Sequence, residues 1–205
     1  LAANERESGD FLMRVHSRPF SIMDIRGWEE RYRSSEDMDS EPTPLLVETA
    51  SRLKPGKALD LACGAGRNAV WLADHGWRVT AIDGSPAAID ILRRRAPERV
   101  EAQIADLEKN EYRIEPSSWD LIAISYYLQR SLMEPAKQGV KPGGVLLAIV
   151  HITEPGEEHT YKRAKPGELK NYFADWEVLH YYEGASRDPA HKRPVAEVVA
   201  RRPAT

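Results

Sequence analysis

Short apolar runs along this chain alternate with stretches whose apolar residues recur three and four positions apart. Ala58 to Ala62 is an apolar run broken by one acid, Asp60, and reads as a buried strand. Gly64 and Gly66 follow as a sharp turn. Arg67 to His75 then carries Ala69, Val70, Leu72 and Ala73 at helical spacing, with Gly76 as a stop. Trp77 to Ile82 reads as a second strand, ended by Asp83. Ser85 and Pro86 suit the N-cap and first position of a helix that buries Ala88, Ile89, Ile91 and Leu92. Val100 to Ala105 is a third strand, ended by Asp106, and Asp120 to Ser125 a fourth. Leu128 to Gln138 reads as a helix broken by Pro135. Lys141-Pro142-Gly143-Gly144 reads as a turn before a fifth strand, Val145 to His151. Strand and helix alternate throughout, which predicts parallel strands joined by right-handed crossovers.

The flanks differ. Residues 1 to about 20 are mixed and polar, and partial disorder is expected there. Ser21 to Arg33 reads as a helix with Ile22, Ile25, Trp28 and Tyr32 along one side. Ser34 to Pro44 is an acidic loop, and Leu45 to Leu53 a helix stopped by Lys54-Pro55-Gly56. Beyond His151, Pro155 to Lys165 is charged and irregular, and Lys165-Pro166-Gly167-Glu168 opens a short helix through Tyr172. Trp176 to Tyr182 and Val195 to Arg201 read as a closing hairpin.

Composition narrows the class. The 205 residues are 41% hydrophobic and 30% charged, as in an ordinary globular domain. A net charge of −3 gives no general attraction to nucleic acid or anionic membrane. The Arg93-Arg94-Arg95 run sits at a helix end, where positive charge opposes the helix dipole. No run approaches a membrane span and no signal-peptide pattern opens the chain, so a cytoplasmic location is expected. The single cysteine, Cys63, excludes an internal disulfide, suits a reducing cytoplasm and reads as a small buried thiol, with a catalytic nucleophile the sharper alternative. No histidine or cysteine cluster has metal-ligand spacing.

The candidate chemistry lies at the strand ends, where open parallel sheets bind ligands. Gly64-x-Gly66-x-x-Ala69 satisfies the dinucleotide fingerprint, which alone is weak. Asp60 argues against that ligand, because a carboxylate there would repel a pyrophosphate. The same carboxylate would attract the sulfonium and ammonium of S-adenosylmethionine, with an acid hydrogen-bonded to the turn's own amides the blander account. Three successive strands finish near an acid. Asp83 could accept two ribose hydroxyls, and Asp106 the exocyclic amine of adenine. A nicotinamide-dependent oxidoreductase and a non-catalytic cofactor-binding protein are the rival readings.

The stretch Asp60-Leu61-Ala62-Cys63-Gly64-Ala65-Gly66, with the later acids and Lys141-Pro142-Gly143-Gly144, resembles class I S-adenosylmethionine-dependent methyltransferases. The resemblance covers roughly Trp28 to the C-terminus. It implies a three-layer α/β/α sandwich on a seven-stranded, mostly parallel sheet. The last strand would be antiparallel, between the fifth and the sixth. It also implies that Gly84 and Leu107 pack on adenine, that Ser125 lines the pocket, and that S-adenosyl-L-homocysteine is a product. Trp28-Glu29-Glu30-Arg31-Tyr32 resembles a lid segment whose arginine reaches the cofactor's carboxylate; an amphipathic helix with Arg31 in solvent is the other reading. The chain thereby divides into an extension with a lid helix, 1–44, and a methyltransferase domain, 45–205. The expected cofactor set is Arg31, Asp60, Gly64, Gly66, Asn68, Asp83, Gly84, Ser85, Asp106, Leu107 and Ser125. Trp28, Tyr126 and Tyr127 could stack near the sulfonium, with core packing the blander account.

Tyr161 to Leu169, Tyr172 to Gly184 and Gly66-Arg67-Asn68 resemble more closely the bacterial tellurite-resistance methyltransferases. That family methylates soft chalcogen nucleophiles and uses a histidine–arginine pair and a further arginine near its last two strands. Here Arg187 sits at the pair's arginine, but Ser186 occupies the histidine position. His191 and Arg193 lie a few residues on. Arg187, His191 and Arg193 are therefore the candidate catalytic residues, against a solvated basic loop. The resemblance implies methyl transfer to a small molecule, with a sulfur, selenium or tellurium acceptor first and an oxygen or nitrogen acceptor second. Ser125-Tyr126-Tyr127-Leu128 replaces the Asn/Asp-Pro-Pro-aromatic run of nucleobase and amide-nitrogen methylases. Expected partners are thus a small-molecule substrate, no nucleic acid and no membrane, with the chain a monomer or homodimer.

Overall fold

The structure is a computed structural model that describes residues 24–34, 40–157 and 160–204. The expected disorder of residues 1–20 and the first turn of the 21–33 helix lie outside them. Seven strands form one sheet: β1 (Lys57–Leu61), β2 (Arg78–Asp83), β3 (Val100–Ile104), β4 (Trp119–Ser125), β5 (Val140–His151), β6 (Glu177–Gly184) and β7 (Val195–Arg201). Their order is β3-β2-β1-β4-β5-β7-β6. The first five are parallel, and β7 runs antiparallel between β5 and β6. The sandwich and its closing hairpin thus take the expected form.

Central strands are apolar on both faces because both are covered. Leu121, Ile122, Ala123 and Ile124 of β4 are all fully buried. Side chains alternate across the sheet. Leu59 and Leu61 face a core shared with α5 (Arg130–Gly139) and α6 (Glu168–Asn171). Ala58 faces the other core, with α2 (Pro44–Ala50), α3 (Arg67–Asp74) and α4 (Pro86–Arg95). Helix α1 (Ile25–Ser34) buries no residue fully and lies over α4.

Two expectations need correction. Helix α5 runs through Pro135 rather than breaking there. Pro135 and Ser131 both lie on its exposed side, so water can satisfy the carbonyl that loses its N–H partner. Lys141 to Gly144 is not a turn ahead of β5 but a bulge within it. Val140 pairs with Trp119, and the register resumes at Val145 with Leu121. Lys141 Nζ donates to both Asp120 carboxylate oxygens at 2.9 Å, across the bulge. Among the described residues, no helix is long and apolar enough to cross a membrane.

Candidate functional site

A cavity of about 250 Å³ opens over the carboxyl ends of β1, β2 and β4, with α1 across its mouth. Four carboxylates, Asp60, Asp83, Asp106 and Glu108, line it, as do Arg31, Arg67, Lys162 and His191. Trp28, Tyr32, Tyr126 and Tyr127 supply aromatic walls.

Asp60 is 1% exposed, and its Oδ2 has no hydrogen-bond partner among the described residues. Burial, then the charge of Asp83, push its pKa up to about 7, while Arg67 and the Ala69 amide pull it down. Asp83 is engaged by the backbone: Gly64 N donates to Oδ2 at 2.8 Å and Ser85 N to Oδ1 at 2.9 Å. Burial raises its pKa against those amides. Asp106 Oδ1 accepts from Glu108 N at 3.0 Å, and its Oδ2 lies 3.0 Å from Lys109 Nζ. Each carboxylate oxygen has two lone pairs, so Asp83 and Asp106 retain accepting capacity. Carboxylates with accepting capacity, one with an orphaned oxygen, suit a cationic ligand that brings several donors.

The glycine turn is tight against the lid. A Cβ on Gly64 would lie 2.4 Å from Tyr32 Oη, and one on Gly84 2.3 Å from Ile25 Cδ1. Helix α1 is fastened by Glu29, whose Oε2 accepts from Ser85 Oγ at 2.5 Å and from Ala87 N at 3.0 Å. Its carboxylate thus sits at the N-terminus of α4, where negative charge is favoured. Asn68 ties the floor together: its Oδ1 accepts from Thr43 N at 2.9 Å and its Nδ2 donates to Ser125 Oγ at 3.1 Å.

Not every residue expected at the site reaches it. Arg31, Asp60, Gly64, Asn68, Asp83, Gly84, Asp106, Leu107 and Ser125 line the cavity; Gly66 and Ser85 do not. Gly66 packs on Leu92 beneath the turn, and Ser85 is the N-cap of α4, accepting from Ala88 N at 3.1 Å. Ser85→Ala is expected to lower the unfolding free energy by about 1 kcal/mol, read from a urea midpoint, because the cap and one of the two bonds to Glu29 Oε2 are lost together.

Of the three candidate catalytic residues, only His191 lines the cavity. Arg187 is held by Glu48 at 2.8 Å and lies 3.6 Å from Glu197. Arg193 donates to Glu157 at 2.5 Å, with Glu154 at 3.5 Å. Both therefore serve ion pairs that fasten the loop between β6 and β7. His191 lies flat on Tyr126, with ring centroids 3.3 Å apart and 5° between planes. Burial, helped by His151, Arg67 and Arg31 and opposed by Asp188, pushes its pKa down to about 4. It is a neutral imidazole at pH 7.

Sequence reasoning missed Asp188, Glu29 and Lys162, and did not single out Arg67. Tyr126 has φ +60°, a left-handed conformation at the end of β4 that no sequence signal announces. Asp188 sits before Pro189, which reads only as a turn. Among the described residues no group could hold a metal ion.

Comparisons with known proteins agree with this architecture. Hemagglutinin 1 of Eikenella corrodens is 30% identical over 67% of this chain and 49% of its own length. A Haemophilus influenzae protein named probable S-adenosyl-L-methionine-dependent methyltransferase TehB is 29% identical over 67% of this chain and 52% of its own. The chain thus spans about half the length of the curated relatives it matches. The crystal structure of TehB from H. influenzae superposes with a TM-score of 0.66 at 24% identity, over 87% of this chain and 66% of that one, a likeness of fold. The tellurite resistance protein TehB family matches residues 29–192, most of the chain, and the chain belongs to that family.

Proposed function

We propose that this chain is an S-adenosylmethionine-dependent methyltransferase acting on a small molecule, with a soft sulfur, selenium or tellurium nucleophile as the first acceptor class. The observation that carries the reading is the buried Asp60 carboxylate, with one oxygen orphaned, facing a cavity beside a glycine turn. An orphaned buried acceptor costs free energy until a donor meets it. S-adenosylmethionine fits: its ammonium supplies donors and its sulfonium supplies charge. A pyrophosphate would set a negative charge beside the same carboxylate.

Each residue then has a task. Asp60 attracts the cationic end, and Arg31 on the lid faces the carboxylate. Gly64 and Gly84 leave room where any Cβ would meet the lid. Asp83 accepts ribose hydroxyls with its remaining lone pairs, Asp106 and Leu107 hold the adenine, and Asn68 and Ser125 close the floor. Gly66 and Ser85 act from below, shaping the turn and the start of α4. Bound cofactor supplies a methyl group on sulfonium, open to in-line displacement. The aromatic walls and α1 exclude water and hold the acceptor in line, which can account for much of the rate.

Support for a soft acceptor comes from three other groups that line the cavity, His191, Tyr126 and Tyr127. His191 is held neutral with a pKa of about 4, too weak a base to strip a tightly held proton. Burial raises the Tyr126 and Tyr127 phenols, which stay protonated. A thiolate or its heavier analogues need no base at the moment of attack. The description of the family as tellurite resistance proteins points the same way.

The test is calorimetric titration with S-adenosylmethionine and separately with NADH, followed by selenite, tellurite, small thiols and oxygen or nitrogen acceptors with the labelled methyl donor. Binding of the first ligand only, with turnover of a chalcogen acceptor, is expected. A folded sample that ignores S-adenosylmethionine, or takes NADH in its place, sinks the proposal. Turnover confined to oxygen or nitrogen acceptors keeps the reaction and overturns the acceptor class.

A further inference from the structure

The loop between β6 and β7 reaches back over the sheet and meets the start of α3 through one carboxylate. Asp188 is 3% exposed. Its Oδ2 accepts from Arg67 Nη2 at 2.6 Å and from Tyr126 Oη at 3.0 Å. Its Oδ1 accepts from Ala190 N at 3.0 Å, and its own carbonyl accepts from His191 N at 3.0 Å. The Arg67 guanidinium in turn lies 5.6 Å from the centroid of the Tyr126 ring on which His191 stacks.

We propose that Asp188 is a positioning residue: by holding Arg67 and Tyr126 on one oxygen, it seats His191 flat against Tyr126 and ties the acceptor end of the cavity to the glycine turn. The term acceptor end rests on the function proposed above; the seating itself does not. The two carboxylate oxygens divide the work. Oδ1 shapes the loop internally, as an aspartate commonly does at a turn. Oδ2 docks the formed loop onto Arg67 and Tyr126, beside the ion pairs that Arg187 and Arg193 make. Arg67 is the residue immediately after Gly66, so the docking point adjoins the turn that carries the cofactor site. A charge-assisted bond between two largely buried groups is strong enough to fix that register.

Asp188→Asn separates the two tasks. The amide oxygen can still accept from Ala190 N, while the NH₂ group now faces the Arg67 guanidinium, donor against donor. Histidine NMR on the cofactor-free protein, assigned with His191→Gln, reads the result. The groups bearing on His191 are His151, Asp188, Arg67 and Arg31, with Tyr126 against its face. The Asp188 charge raises the His191 pKa and burial lowers it more. Loss of charge alone would therefore lower the pKa further. Loss of seating would expose the ring and bring the pKa up towards 6.5, the ordinary value.

The expected result is a rise, with collapse of the upfield ring-current shift that stacking gives the His191 protons. Asp188→Glu is expected to restore part of both signals. An unchanged or lowered pKa with the ring-current shift kept would overturn the proposal. Should Asp188→Asn not fold, Arg67→Gln undocks the loop from the other side; there the ring-current shift alone is diagnostic, because losing the Arg67 charge by itself raises the His191 pKa. Native protein that ignores S-adenosylmethionine would end the functional reading and leave this result standing. Where the native enzyme turns over an acceptor, Asp188→Asn should bind S-adenosylmethionine with near-native affinity yet lose about a hundredfold in acceptor kcat/KM, the scale expected of a 1 Å misplacement.

Discussion

Asp60→Asn is expected to weaken S-adenosylmethionine binding by about 2 kcal/mol, or about thirtyfold, the order of a hydrogen bond to a charged group. Asparagine keeps the size and one acceptor but removes the charge facing the cationic end. The native protein should also show a pH signature that the variant lacks. Without ligand, Asp60 titrates at about 7 instead of 3.8. A bound cation favours the carboxylate, so binding near pH 7 releases protons, and affinity falls as pH drops below 7. Calorimetry in buffers of different ionisation heat reads that release, which Asp60→Asn should abolish.

Stability carries the opposite sign. Between about pH 4 and pH 7 the native cofactor-free protein holds a proton on Asp60 that the unfolded chain has given up, since the two pKa values are about 7 and 3.8. Stability conferred by that retained proton is present at low pH and lost as pH rises through the window. Asp60→Asn removes this decline. An unaltered affinity together with unaltered proton release would show that Asp60 does not meet the ligand. Asp83 is a poorer probe, because removing its carboxylate strands the amides of Gly64 and Ser85 whatever the ligand.

Gly66→Ala is expected to destabilise the fold by about 3 kcal/mol, from two separable sources. Gly66 has φ +81°, where a side chain costs roughly 1–2 kcal/mol. Its Cβ would also lie 2.3 Å from Leu92 Cδ1, in a fully buried side chain that must move. Gly143 isolates the first source, since it has φ +77° and nothing within 4 Å of its Cβ position. Urea unfolding of the two alanine variants should therefore differ, with Gly66→Ala the worse by about 1–2 kcal/mol for forced overpacking. Equal losses would mean that the contact with Leu92 relaxes freely.

The sheet was legible because its cause is local. Ala58–Ala62 and Asp120–Ser125 are apolar enough to demand cover on both faces, and an acid follows or interrupts each early strand. The glycine turn was legible for the same reason. What escaped depends on partners far along the chain. Ser85 is a sound N-cap on sequence grounds, but its Oγ turns to Glu29, 56 positions earlier. Arg187 and Arg193 looked available because the acids that hold them, Glu48, Glu154 and Glu157, carry no mark of pairing in sequence. Pro135 falls with Ser131 and Glu134 on the polar side of α5, where the freed carbonyl meets water, so the helix runs through it. The link between Arg67 and Asp188 spans 121 positions.

Strand β7 has a consequence for how the protein is made. It lies between β5 and β6, so β6 reaches the sheet only through a strand that follows it in sequence. While a ribosome is still synthesising residues 195–201, β5 presents a long unpaired edge, fully buried in the finished protein from Val145 to Val150 apart from 1% exposure at Ile149. An apolar open edge is a template for other chains. Slow translation through this stretch, or a stop codon before it, leaves a chain without the strand that covers the β5 edge. Aggregation of such chains, rather than quiet loss of activity, is the expected outcome of late truncation.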